Sequence, residues 1–161
     1  MELKGKEIPL ILTRTNSEHP DYQILIPKLD AELAKRDGDE HAFYAQYNKS
    51  DEIKHVVVAY FGSLPVGCGA FKVYDNNKIE MKRMFVMPNL RGMGIAGMVL
   101  KELENWASEL GYHEFILETG TAMPEAIHLY EKNGYNRIPN YGQYEGKELS
   151  VCFAKDLFLM R

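Results

Sequence analysis

Several features that would assign this chain to a specialised class are scarce or absent. The 161 residues include only two cysteines, Cys68 and Cys152, which form no Cys-x-x-Cys pair, so neither a disulfide scaffold nor a zinc ribbon is indicated. The five histidines show no metal-ligand spacing, and we expect no metal. No apolar run approaches the length of a membrane span, and the first residues lack the apolar stretch of a signal peptide. We therefore expect a cytoplasmic protein with reduced thiols and no membrane partner.

Positively charged side chains are also fewer than negatively charged ones. Lys and Arg total 19 against 23 Asp and Glu, which gives a formal net charge of −4. A nucleic-acid partner is therefore not expected, whereas a coenzyme with a few phosphates needs only a local cradle. Apolar residues make up 45% and charged residues 26%, values that are ordinary for a globular protein. The length suits one domain, residues 1–161, with its own hydrophobic core.

The apolar periodicity predicts a series of helices and strands. Helices are predicted over residues 21–35, 39–47, 95–110 and 124–132. Strands are predicted over residues 8–13, 55–61, 66–74, 78–87, 114–118 and 148–156. Helices thus come first, antiparallel hairpins follow, and a strand-helix-strand-helix-strand run closes the chain. This order predicts an α/β (α+β) fold with a mixed, mostly antiparallel central sheet flanked by helices.

The most informative stretch is a glycine-rich turn between a strand and the clearest amphipathic helix. It reads Pro88-Asn89-Leu90-Arg91-Gly92-Met93-Gly94-Ile95-Ala96. Glycines allow backbone N–H groups to approach a ligand closely, and a helix start adds unpaired N–H groups and the positive end of the helix dipole. Together these features predict an anion cradle suited to a pyrophosphate.

One interpretation of this turn is that it binds a nicotinamide dinucleotide. Gly92 to Gly97 match the pattern G-x-G-x-x-G, and Glu118 lies about 20 residues further on, where a ribose-binding acid is expected. That fingerprint requires a strand that runs directly into its first glycine, and residues 88–91 intervene here. The preceding strands are also predicted to be antiparallel, so this reading is the weaker one.

A second reading rests on the pattern Arg91-x-x-Gly94-x-Ala96. It resembles the signature R/Q-x-x-G-x-G/A of the GNAT superfamily of N-acetyltransferases. The element from Ala126 to Tyr135 is similar to the family's A-x-x-x-Y-x-x-x-G-F/Y segment, and the likeness covers residues 56–156. The resemblance implies a GNAT-like fold and transfer of an acetyl group from the cosubstrate acetyl-CoA to a primary amine. The low net charge favours a small-molecule acceptor, and the resemblance also allows a homodimer, since dimers are common in the family.

The resemblance further implies roles for individual residues. The backbone amides of the cradle would hold the coenzyme A pyrophosphate, and a strand that splays from its neighbour would pair with the pantetheine arm. Tyr130 matches a tyrosine near the coenzyme sulfur, and Glu80 falls where some members keep a general-base glutamate. The implied coenzyme-binding residues are Met84, Phe85, Val86, Arg91, Gly92, Met93, Gly94, Ile95 and Ala96.

These residue types fit the chemistry. An ammonium with a pKa of about 10 must lose a proton before it can attack a thioester, and a carboxylate can accept that proton. A backbone N–H of Phe85 or Val86 could stabilise the oxyanion, and the Tyr130 phenol could protonate the departing thiolate. No covalent acyl-enzyme is needed.

Several assignments stay open on the sequence alone. Glu80 shares a charged stretch with Lys82 and Arg83 that a solvated strand face would also explain, and Tyr130 could simply pack. Glu118 or a water chain is the alternative base. The loop 141–146, Tyr44 and Tyr47 could border the acceptor site. A non-catalytic acyl-CoA-binding or sensor domain of the same fold would keep the cradle and lack the proton-transfer groups.

Overall fold

The computed structural model describes residues 2–3, 6–47 and 52–158. The helices are α1 (Pro20–Asp37), α2 (His41–Ala45), α3 (Ile95–Glu109) and α4 (Pro124–Lys132). The strands are β1 (Glu2–Leu3), β2 (Lys6–Glu7), β3 (Leu10–Thr15), β4 (His55–Phe61), β5 (Leu64–Val73), β6 (Lys78–Val86), β7 (Glu114–Gly120), β8 (Asn136–Ile138) and β9 (Ser150–Asp156). None of the described helices combines the length and the apolar character needed to cross a membrane.

A seven-stranded sheet organises the molecule in the order β3-β4-β5-β6-β7-β9-β8. Within this sheet β6 and β7 pair in parallel, and every other neighbouring pair is antiparallel. The short strands β1 and β2 form a separate antiparallel pair. The predicted mixed, mostly antiparallel sheet is therefore confirmed.

The predicted elements are present with shifted ends, and three short strands, β1, β2 and β8, are new. Helix α1 begins at Pro20 because the His19 imidazole accepts a hydrogen bond from the Asp21 amide and proline suits the first helical position. The predicted helix 39–47 is a 3-10 turn at Gly38–Glu40 followed by the five-residue α2. Strand β8 was not predicted, since its three residues form only by pairing with β9.

The helices cover both faces of the sheet. Alternate residues of β4 separate the two faces, because Val57 and Ala59 belong to the core under α3 whereas Val56 and Val58 belong to the core under α1. Tyr130 of α4 lies in the same core as α3. We call these the α3 face and the α1 face.

A β-bulge interrupts the pairing of β5 with β6. Cys68 pairs with Phe85 and Ala70 pairs with Lys82, so Gly69 alone faces two residues, Arg83 and Met84. Arg83 has a φ of 61°, in the left-handed region that non-glycine residues rarely adopt. The extra residue turns the side chains of both Lys82 and Arg83 to the α1 face.

The pairing of β6 with β7 stops early. Its register covers Lys78 to Glu80 on β6 and Glu114 to Ile116 on β7, and the rest of β6 has no partner on that side among the described residues. Strand β7 continues to pair with β9 as far as Gly120. A gap therefore opens between the carboxyl ends of β6 and β7.

Candidate active site

The gap between β6 and β7 leads into a cleft of about 580 Å³. Its walls come from the end of β6, the turn before α3, the end of β7, and helices α1 and α4. Of the residues predicted for the site, the cleft is lined by Met84, Phe85, Val86, Arg91, Gly92, Gly94, Ile95, Ala96 and Tyr130. Met93 points outward with 42% of its surface exposed, and neither it nor Glu80 lines the cleft.

The glycine-rich turn has the backbone geometry of an anion cradle. Gly92 and Gly94 have φ values of 83° and 85°, and Gly94 is the N-cap of α3. A Cβ atom built on either glycine meets no protein atom within 4 Å, so the turn borders open space. The first turn of α3 adds backbone N–H groups that lack partners within the helix. This arrangement can hold a pyrophosphate.

The Arg91 side chain is held by the protein itself. Its Nε donates to the Val86 carbonyl at 2.9 Å, and Nη1 and Nη2 donate to the Glu32 carboxylate at 3.0 and 2.6 Å. These hydrogen bonds from Arg91 lower the pKa of Glu32 below its usual value. The side chain therefore ties α1 to the turn.

Tyr130 is a buried phenol on the α3 face of the cleft. Its ring packs against Tyr135 and Phe153, with centroid distances of 5.6 and 6.0 Å. Its hydroxyl has no hydrogen-bond partner in the part of the chain that the structure describes, and burial raises its pKa above the usual value. The hydroxyl is thus protonated and available to donate.

Glu118 lies near the end of β7 and lines the cleft from the α1 face. Its carboxylate accepts a hydrogen bond from Ser150 Oγ at 2.8 Å, and Ser150 Oγ lies 2.8 Å from the Tyr44 hydroxyl. Burial raises the pKa of Glu118 to about 7, against an ordinary value of 4.5, although the Ser150 hydrogen bond and the charge of Lys82 lower it. A carboxyl with this pKa can exchange a proton near neutral pH.

Glu80, the predicted base, is occupied by other protein groups. Its carboxylate accepts a hydrogen bond from the Tyr141 hydroxyl at 2.5 Å and lies 3.4 Å from Lys82 Nζ. The residue is 8% exposed. The structure therefore brings Tyr130 and Glu118 to the cleft and leaves Glu80 behind one of its walls.

Aromatic side chains surround Glu118 on the α1 face. Tyr44 lines the cleft and stacks with Tyr144 at 6.5 Å, and Tyr47 contacts Tyr144 edge to face at 6.1 Å. Ser150 and Glu32 were not singled out from the sequence. A serine at the start of an otherwise apolar strand was a usable signal for Ser150, whereas nothing in the local sequence distinguishes Glu32 from any other glutamate of a helix.

Comparison with known proteins decides the family. Residues 17–135 match the family model described as "Acetyltransferase (GNAT) family". An "IAA acetyltransferase" of Azospirillum brasilense is 33% identical over 150 residues, which cover 89% of this chain and 97% of that protein. The chain belongs to the GNAT acetyltransferase family. The predicted resemblance is confirmed, and the nicotinamide reading is excluded by this membership and by the mostly antiparallel sheet.

Solved structures agree with the fold of this GNAT acetyltransferase. A candidate acyl-CoA N-acyltransferase of Klebsiella pneumoniae superposes with a TM-score of 0.77 at 29% identity, covering 92% of this chain and 98% of that one. A GNAT family acetyltransferase of Elizabethkingia anophelis, solved with acetyl-CoA bound, gives a TM-score of 0.64 at 17% identity, covering 91% and 97%. The second likeness shows the shared fold.

The raised pKa of Glu118 predicts a pH-dependent stability. Between 4.5 and about 7 the folded GNAT acetyltransferase binds this proton more tightly than the unfolded chain, so the free energy of unfolding falls as the pH rises through this range. Glu118→Gln removes this proton. We expect the stability of the wild type, relative to the variant, to fall by roughly 2 kcal/mol between pH 5 and pH 7.5. Urea denaturation of both proteins at the two pH values measures this difference in the free energy of unfolding. A difference that stays the same at both pH values would contradict the raised pKa.

Proposed function

We propose that this chain transfers the acetyl group of acetyl-CoA to a primary amine of a small molecule, by direct attack of the amine on the thioester. We also propose that residues 1–161 form one such N-acetyltransferase domain. The observation that carries the function is the composition of the cleft, where an anion cradle lies together with two proton-transfer groups, the partly buried Glu118 and the buried Tyr130. A coenzyme-binding or sensor domain needs only the cradle.

The coenzyme would enter from the α3 face. Its pyrophosphate would accept hydrogen bonds from backbone amides between Arg91 and Ala96, at the start of α3. The edge of β6 from Met84 to Val86 has no strand partner towards β7 among the described residues. The Val86 carbonyl accepts from Arg91 Nε, and the remaining backbone groups of this edge would pair with the amide-containing pantetheine arm. A backbone N–H of Phe85 or Val86 would stabilise the negative charge that develops on the thioester oxygen.

We propose Glu118 as the base in preference to Glu80. Glu118 lines the cleft, and its pKa of about 7 lets it accept a proton from an ammonium near neutral pH. Glu80 is held by the Tyr141 hydroxyl and lies beside Lys82, which leaves its carboxylate less available to a substrate.

Tyr130 is the proposed acid. Its raised pKa keeps the phenol protonated, and its hydroxyl has no competing hydrogen bond within the described residues. The departing thiolate would take this proton. Since Glu118 lies on the α1 face and Tyr130 in the core of the α3 face, the acceptor and the coenzyme would approach from opposite sides of the sheet.

The cradle is tested by a pair of glycine substitutions. Gly94→Val and Gly111→Val both place a side chain at a positive φ, 85° and 92°, with no neighbour within 4 Å. Each should cost about 1–2 kcal/mol of stability. Only Gly94→Val should weaken acetyl-CoA binding, by about tenfold or more, because its side chain blocks the approach to backbone amides. Calorimetric titration with acetyl-CoA measures both affinities. Equal affinities in the two folded variants would contradict the assignment of the pyrophosphate to this turn.

The base is tested by comparing Glu118→Gln with Glu80→Gln. We expect Glu118→Gln to lower the single-turnover rate of acetyl transfer at neutral pH by about 10²-fold or more. The loss should shrink at high pH, because more of the amine is then deprotonated in solution. Glu80→Gln should keep the pH profile of the wild type. The rates are measured by thiol release with an amine found in a screen, and the reverse pattern in the two variants would make Glu80 the base.

Removal of the proposed general acid, the Tyr130 hydroxyl, distinguishes an enzyme from a binding module. Tyr130→Phe keeps the ring and its packing, so acetyl-CoA affinity should stay within a few-fold while the single-turnover rate falls by about 10²-fold. Tyr135→Phe is the matched control, since its hydroxyl donates to Glu104 at 2.9 Å, away from the cleft, and should affect stability rather than rate. A wild-type single-turnover rate in Tyr130→Phe would leave Tyr130 as a packing residue.

A further inference from the structure

We propose that Arg83 binds a carboxylate of the acceptor, so that the amine substrate also carries an acid group, as an amino acid does. This inference rests on the proposed acetyl transfer and specifies the class of its acceptor.

The Arg83 guanidinium is buried and incompletely paired. Its side chain is 2% exposed, and Nη2 donates to Asp30 of α1 at 2.6 Å. Nε and Nη1 are buried and have no hydrogen-bond partner among the residues that the structure describes. Asp30 is itself 54% exposed, so it compensates the buried charge only in part. A planar guanidinium with unused N–H groups is suited to a carboxylate.

The backbone is strained at Arg83, and this conformation directs the Arg83 side chain to the α1 face. Among the described residues Arg83 is the one non-glycine residue with a positive φ. In a regular strand Arg83 would follow Lys82 on the opposite face and would enter the apolar core under α3. The bulge keeps it on the α1 face instead. Such strain persists only where the surrounding structure imposes it, and it is frequent at ligand sites.

The neighbouring cation is already neutralised. Lys82 Nζ donates to the Tyr47 carbonyl at 3.3 Å and lies 3.4 Å from the Glu80 carboxylate. Of these two neighbouring cations of β6, Arg83 is therefore the one that can bind a further anion.

The position of Arg83 points to the acceptor and not to the coenzyme. Arg83 lines the cleft and precedes Phe85 by two residues on β6, whereas the pyrophosphate cradle begins only after β6 has ended. Its side chain lies on the α1 face, as does Glu118, and the cradle belongs to α3 on the other face. An acceptor that holds an amine and a carboxylate would satisfy Glu118 and Arg83 together. A polyamine would leave the guanidinium unpaired and would add repulsion.

Matched pairs of amines test this inference. The ω-amino acids of increasing chain length are compared with their carboxamides, and kcat/KM is corrected for the deprotonated fraction of each amine. At the best chain length we expect the wild type to favour the acid by about ten- to hundredfold, the range of a charge-assisted hydrogen bond. Arg83→Gln should bring this ratio close to one, whereas Lys82→Gln should keep a clear preference for the acid.

The outcomes separate this inference from the proposed function. Transfer to amines with no preference for the acid in the wild type would overturn the role of Arg83, and this comparison needs no variant to fold. A loss of acetyl-CoA affinity in Arg83→Gln with an unchanged acid-to-amide ratio would also overturn it. If no amine is acetylated, the carboxylate site is tested by calorimetric titration of the same acids and amides into the protein with acetyl-CoA. Tighter binding of the acids that disappears in Arg83→Gln supports the carboxylate site and contradicts the transferase, and equal binding contradicts both.

Discussion

The early end of the pairing between β6 and β7 is the constraint on which the site depends. The two strands share a register only from Lys78 to Glu80. Beyond that point β7 stays with β9, while the bulge at Arg83 and Met84 bends β6 and increases its twist. Backbone groups of β6 are left without a strand partner in the described sheet, and a polar backbone edge beside an open cleft favours a ligand with amide groups.

Burial along this gap gives two side chains different protonation states. Removal from water raises the pKa of both Glu118 and Tyr130, because it disfavours the charged form of each. For the carboxyl the result is a pKa of about 7, which suits a base, and for the phenol it is a group that stays protonated, which suits an acid. One physical effect thus prepares both members of the acid-base pair that we propose.

Helix α1 spans the cleft through a chain of ion pairs. Glu32 binds Arg91 of the turn before α3, and Arg36 lies 3.5 Å from Glu32 and 2.6 Å from Glu125 of α4. Single exposed ion pairs contribute little to stability. Their effect here is geometric, because they connect the turn, α1 and the start of α4 around the opening in which we propose that the coenzyme lies.

The sequence by itself determined the helices, most strands, the mixed sheet, the cradle from Gly92 to Ala96 and the family resemblance. These features depend on neighbours along the chain, namely apolar periodicity and the backbone freedom of glycine in a turn. Only the tertiary structure decided that Glu118 lines the cleft while Glu80 is held by Tyr141, and that Arg91 binds Glu32. Ser150 lies 32 positions from Glu118, Tyr141 lies 61 from Glu80, and Glu32 lies 59 from Arg91. Burial, and with it the pKa of a carboxyl, depends on which distant segments pack around it, and no local pattern in the sequence records those partners.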